Sequence, residues 1–169
     1  MREGAKTAAF VVVAAVLAVL AWGTSPSRTG PGVFEEQGER FFPDFTDPLA
    51  ATSVEVIEYE EAQAITRPFK VHWKDGRWTI PSHNDYPADA KDRLKKTAAA
   101  VIDLVKDSLR SERKEDHEAL GVLDPLDEKA PLKGRGKRVT LRDKNGRVLA
   151  DLILGKAAGR EGVRYARVP

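Results

Sequence analysis

The stretch KVHWKDGRWTIPSHNDYPADA, Lys70 to Ala90, holds two of the chain's three histidines together with Asp75, Asp85 and Asp89. An imidazole beside a carboxylate is the raw material of general acid–base catalysis or of a metal site. His72 falls on the polar side of an alternating run, and alternation supplies it no partner, so a solvated histidine is expected. His83-Asn84-Asp85 reads as a ligand cluster, but Pro81 and Pro87 bracket it, and Asn and Asp are common in the turn before a helix. A metal needs a third ligand, and none can be placed. His117 stands among Lys114, Glu115, Asp116 and Glu118, which predicts a charged, solvated surface.

Other chemistry is thinly represented. The chain has no cysteine, which excludes disulfides, thiol catalysis and cysteine-based zinc sites. It contains neither a G-x-S-x-G elbow nor an H-E-x-x-H helix motif. Glu58, Glu60 and Glu61 have the look of surface charges, and nothing singles out two carboxylates for opposed pKa values. An envelope hydrolase would need two acids within Glu55–Asp92 to converge in a cleft. Lys133-Gly134-Arg135-Gly136-Lys137-Arg138 is the one basic cluster. It lacks the Gly-Lys-Ser/Thr ending of a phosphate loop, so a solvated cationic loop is expected. No catalytic, cofactor-binding or metal-binding residue is assigned, and no cofactor is expected.

The elements around these residues are legible from periodicity. Thr52 to Tyr59 is rich in β-branched residues and reads as a strand. Phe69, Val71 and Trp73 alternate with Lys70 and His72, and Trp78 and Ile80 alternate with Arg77 and Thr79. Asp75-Gly76 between them predicts a tight hairpin, with Trp73 and Trp78 meeting across it. From Pro87 to about Glu112, Leu94, Ala98, Val101, Ile102, Val105 and Leu109 recur at three and four, which predicts one long amphipathic helix. Pro87 suits its first turn, and the pairs Asp89–Arg93 and Asp92–Lys96 would support its exposed side. Leu120-Gly121 closes a short helical turn before Pro125. Val139 and Leu141, the turn Asp143-Lys144-Asn145-Gly146 and the run Arg147–Leu154 predict a second hairpin whose return strand, apolar on both sides, is central. Val163–Val168 offers one more strand. The fold class predicted is α+β: an antiparallel sheet of two β-hairpins plus flanking strands, with the long helix packed on it and an N-terminal transmembrane helix.

That last element rests on Ala8 to Trp22, AAFVVVAAVLAVLAW, which has no polar side chain apart from the Trp22 indole. With Thr7, Gly23 and Thr24 it makes a helix of about 27 Å, close to the hydrocarbon core of a bilayer. Arg2 and Lys6 precede it, which favours a cytoplasmic N-terminus with the body exported. A cleaved signal peptide, cut near Ala21-Trp22-Gly23, and a buried core helix are the competing readings. The organisation expected is residues 1–24 as anchor or signal, 25–50 as linker and 51–169 as an extracytoplasmic domain. Phe34, Phe41, Phe42 and Phe45 are unusual for a free tether, so the second half of the linker is expected to dock on the domain or on a partner. Formal charge is +2, and Arg2, Lys6 and Glu3 leave residues 24–169 with 26 basic and 25 acidic side chains. A body so close to neutral has no global field for nucleic acid.

FPDFTDPLAATSVEVIEY, RPFKVHWKDGRWTIPSHNDYPADAKDRL, HEALGVLDP, RVTLRDKNGRVLADLILGK and VRYARVP together resemble the domain of unknown function 4340 family, in its planctomycete-type bacterial members. The likeness runs from Phe42 onward and is most specific over Trp78–Ala90 and Gly121–Pro125. The family has no assigned reaction, so it implies no catalytic residues. It implies a single-span, extracytoplasmic protein, with some members accompanying ABC-type transport systems of the gliding-motility kind. Family members commonly continue beyond this point, so an end at Pro169 suggests a short version with an open sheet edge. The function expected is a non-enzymatic accessory module, held at the membrane through residues 8–22, with protein partners in the envelope. A secreted or anchored binding domain for a polymer or small ligand is the alternative.

Overall fold

The computed structural model describes residues 36–88 and 91–169, with Gly4, 11–17 and Val19 near the N-terminus. The chain divides into Met1–Glu35 and Glu36–Pro169. In the first unit residues 11–17 are helical, with their side chains exposed. Of the proposed anchor over 8–22, residues 8–10, 18 and 20–22 lie outside the described residues, as does Phe34. Among the described residues, no helix is long and apolar enough to cross a membrane.

The second unit is α+β, built on one seven-stranded antiparallel sheet. Its strands are β1 (Ser53–Glu60), β2 (Ile65–Lys74), β3 (Arg77–Ile80), β4 (Tyr86–Pro87), β5 (Lys137–Arg142), β6 (Val148–Ala157) and β7 (Arg164–Arg167), in the order β4-β3-β2-β1-β5-β6-β7. Sequence neighbours pair as hairpins, and the one non-sequential pairing is β1 against β5. Asp75 and Gly76 both have positive φ, 50° and 77°, as a two-residue turn of this twist requires. The turn places Trp73 opposite Trp78, with ring centroids 5.7 Å apart and nearly edge-to-face. In the second hairpin only Gly146 has positive φ, so four residues close the turn instead of an Asn-Gly pair. Asp143 Oδ1 accepts the backbone N–H groups of Asn145 and Arg147. β6 is interior but second from the edge, with Leu152 and Ile153 buried on opposite sides.

The helix is shorter than its spacing predicts. α1 spans Lys91–Ile102, and the chain then turns extended. Leu104 and Lys106 are committed elsewhere: Leu104 O accepts Phe41 N–H, Lys106 N–H reaches Glu39 O, and Gly38 N–H reaches Lys106 O. Those pairings compete with the helical ladder for the same backbone groups and end it. Val105 and Leu109, read as part of the apolar stripe, are exposed. Pro87 is not in the first helical turn. It pairs with Thr79 in the two-residue edge strand β4, where its missing N–H costs no ladder bond. The pairs Asp89–Arg93 and Asp92–Lys96 lie outside the described side chains.

Leu94, Ala98, Val101 and Ile102 of α1 cover one side of the sheet, on Val54, Val71, Val139, Leu141, Ala150 and Leu152. Phe45 joins this core at 2% exposure, and Phe42 packs against it. Residues 36–50, assigned to the linker, thus belong to the compact unit. The opposite side, carrying Ile57 and Ile153, is partly covered by the segment after α2 (His117–Leu120), where Val122 and Pro125 are buried.

Candidate functional site

At the β2–β3 end, His72 and Lys74 share one side of the sheet through alternation. The loop after β3 returns Asp85 to them, with Asn84 and Asp85 both at positive φ. Lys74 Nζ donates to Asp85 Oδ2 at 2.5 Å, while His72 Nε2 lies 3.4 Å from Asp85 Oδ1 without forming a hydrogen bond. The Lys74 bond, with the charges of Lys74 and His72, holds the Asp85 carboxyl below its usual range, and Asp85 in turn raises Lys74. His83 points to a different neighbour, its Nδ1 3.0 Å from Ser82 Oγ. His72 is therefore not simply solvated, and His83 and Asp85 do not act together. Among the described residues, no group of three His, Asp or Glu side chains could hold a metal.

His117 is half-buried instead of solvated. Burial lowers its pKa below 6.5, and the charges of Arg167 and Lys114 push in the same direction, against Glu115 and Asp116. The three glutamates at the end of β1 separate. Glu58 pairs with Lys137 at 3.0 Å, Glu60 with Arg67 at 2.7 Å, and Glu61 accepts the backbone N–H of Gly134 at 3.0 Å.

The basic run does not form a solvated loop. Arg135 turns inward and donates to the carbonyls of Pro125, Asp127, Ala130 and Pro131, holding the 125–131 loop closed. Its guanidinium also lies 4.8 Å from the Tyr59 ring centroid. Arg138 grips Asp151 with two bonds, at 3.0 and 2.6 Å, and Asp124 with a third at 2.8 Å. Thr140 donates to Asp151 as well. This half-buried network ties β5 and β6 to the Leu123-Asp124-Pro125 segment, and a bidentate guanidinium–carboxylate pair is well suited to fix that geometry. The register Thr140↔Asp151 was available from alternation across the hairpin, but Asp124 carried no signal.

Between these parts lies an open cleft of about 240 Å³ at the ends of β1, β5 and β6. Its floor is a junction of glycines: a Cβ on Gly136 would come 2.4 Å from Ile153 Cγ2, and one on Gly155 2.5 Å from the Leu120 carbonyl oxygen. Arg135, Lys137, Lys156 and Arg164 line it with Glu58 and Glu61.

A second surface was not singled out from the sequence. Ile65, Phe69 and Trp73 lie on one side of β2 and are 46%, 51% and 42% exposed. They share the side that α1 covers further along, since Val71 between them is in the core. Tyr86, opposite Ile80, stands at 68% exposure.

From β3 to the C-terminal residue, the chain matches the family described as Domain of unknown function (DUF4340), over residues 78–169. The protein belongs to the DUF4340 family. The match is narrower than the resemblance beginning at Phe42, leaving β1 and β2 outside it. Both strands are nevertheless integral to the DUF4340 sheet here, because β1 sits between β2 and β5. The Arg138–Asp124–Asp151 network and most of the cleft lie inside the matched residues. No curated protein and no solved structure matches the chain.

Proposed function

We propose that this DUF4340 protein is a non-enzymatic accessory module that docks a protein partner outside the cytoplasm. In this reading residues 8–22 hold it in the membrane as a single span with a cytoplasmic N-terminus. The setting in this reading is an ABC-type transport assembly, which the family resemblance implies for some members. The observation that carries the reading is the exposed strip Ile65–Phe69–Trp73. Apolar side chains clustered at the surface beside polar residues mark interaction sites more often than singly scattered ones do, and aromatic residues are enriched at such interfaces.

The test is a photo-crosslinking amino acid placed at Phe69 in the full chain, in intact cells, with Lys144 on the opposite hairpin as the control position. A discrete crosslinked protein from Phe69 and none from Lys144 is the expected result. Self-crosslinks alone, or equal products from both positions, would overturn the proposal. A second reading, binding of an envelope polymer, is favoured by Phe69, Trp73 and Tyr86 presenting aromatic surface on one side of the sheet. Retention of the protein on isolated envelope polymer, lost on Tyr86→Ala, would favour it.

A further inference from the structure

The cleft at the ends of β1, β5 and β6 carries more positive than negative charge, and most of it is unneutralised. Four cationic side chains line it against two carboxylates. Lys137 is paired with Glu58, but among the described residues Arg135, Lys156 and Arg164 contact no carboxylate. Arg135 is held by carbonyl oxygens and Lys156 by the Ala119 carbonyl at 2.8 Å, so neither charge is cancelled. Tyr59 also lines the cleft, with the Arg135 guanidinium 4.8 Å from its ring centroid. Two carboxylates already occupy donors here, Glu58 on the Lys137 ammonium and Glu61 on the Gly134 N–H across 73 residues of chain.

We propose that this cleft is a receptor for the carboxylates of an acidic peptide segment. The donor set distinguishes this ligand from phosphate. Phosphate sites converge several backbone N–H groups on one point, whereas the Gly134 N–H is taken by Glu61 and the uncancelled charges of Arg135, Lys156 and Arg164 are spread over three elements, from the approach to β5 to β6 and β7. Spread cations suit successive side chains along an extended peptide. Glu61 is the internal competitor for that ligand.

Full-length protein in a non-ionic detergent is titrated into fluorescently labelled hexaglutamate, with anisotropy as the readout. Saturable binding is expected, lost at high salt because the contacts are exposed to solvent. Arg164→Glu should weaken it by at least about tenfold, the scale of a lost charge-assisted contact, while Lys144→Glu leaves it unchanged. Glu61→Gln keeps an acceptor for Gly134 yet removes the competing charge, so it should tighten binding, a gain that misfolding cannot mimic. Phe69→Ser should have no effect, which separates this site from the partner strip. Absence of saturable binding, equal affinity in Arg164→Glu, or a preference for inorganic phosphate over hexaglutamate would each overturn the proposal.

Discussion

His117 shows how one side chain's surroundings differ from what its neighbours in sequence suggest. Four charged residues flank it, yet it is half-buried and feels the charge of Arg167, which itself donates to the Val122 carbonyl. Because its pKa in the folded state is depressed, the unfolded chain binds the proton more readily. Stability is therefore fully present above pH 6.5 and falls as pH drops below it, levelling off once the folded form is also protonated. Thermal melts of His117→Gln should show a flatter profile between about pH 7 and 5 than the parent chain. A profile of identical slope in both would mean His117 is as hydrated as its sequence neighbours imply. Asp85 has the same sign, but its pair with Lys74 is largely exposed to solvent and adds little.

Among the elements, β2 explains an apparent contradiction, a proline in the interior of a ten-residue strand. Trp73 N–H donates to Thr52 O, so odd-numbered residues of β2 turn their backbone groups toward β1 and even-numbered ones away. Pro68 therefore directs its missing N–H outward, where β3, paired only with His72–Lys74, leaves the edge open. An open strand edge is a template for intermolecular pairing, and a proline there removes a donor from it. Pro68→Thr should promote self-association, seen by sedimentation velocity, while the melting temperature changes little. A monomeric variant would show that the edge is protected by something else. Both hairpins were legible because two to four turn residues and their alternating flanks encode them. The helix ends at Ile102 although Val105 and Leu109 continue the spacing of three and four. Nothing local shows that residues 38–41 claim the backbone there.

The whole unit begins well before the first strand. Lys106 pairs with Glu36 at 2.7 Å and Glu39 at 3.7 Å, Asp47 caps the Pro48–Ala50 turn, and Phe45 fills the core under α1. Phe45→Ala should cost about 3–5 kcal/mol, the usual range for emptying a buried phenylalanine site, measured by urea denaturation. A chain starting at Glu36 should keep the stability of the parent domain, and one starting at Thr46 should lose it. Equal stability of the two shortened chains would place residues 36–45 outside the cooperative unit. The phenylalanine content of the linker pointed to docking, but which phenylalanine is buried depends on a cavity formed by the sheet and α1.

Alternation and turn chemistry are set by neighbouring residues, so sequence alone determined both hairpins, most of the strands and the α+β class, but neither the edge strand β4 nor the ends of α1. The tertiary structure decided what those elements meet. It paired β1 with β5, spread the glutamates over separate partners, and split the basic run between a loop clamp and the Arg138 network. The Arg138–Asp124 and Glu61–Gly134 contacts join residues 14 and 73 positions apart. Their formation depends on how separate segments pack, and no short window of sequence contains both partners.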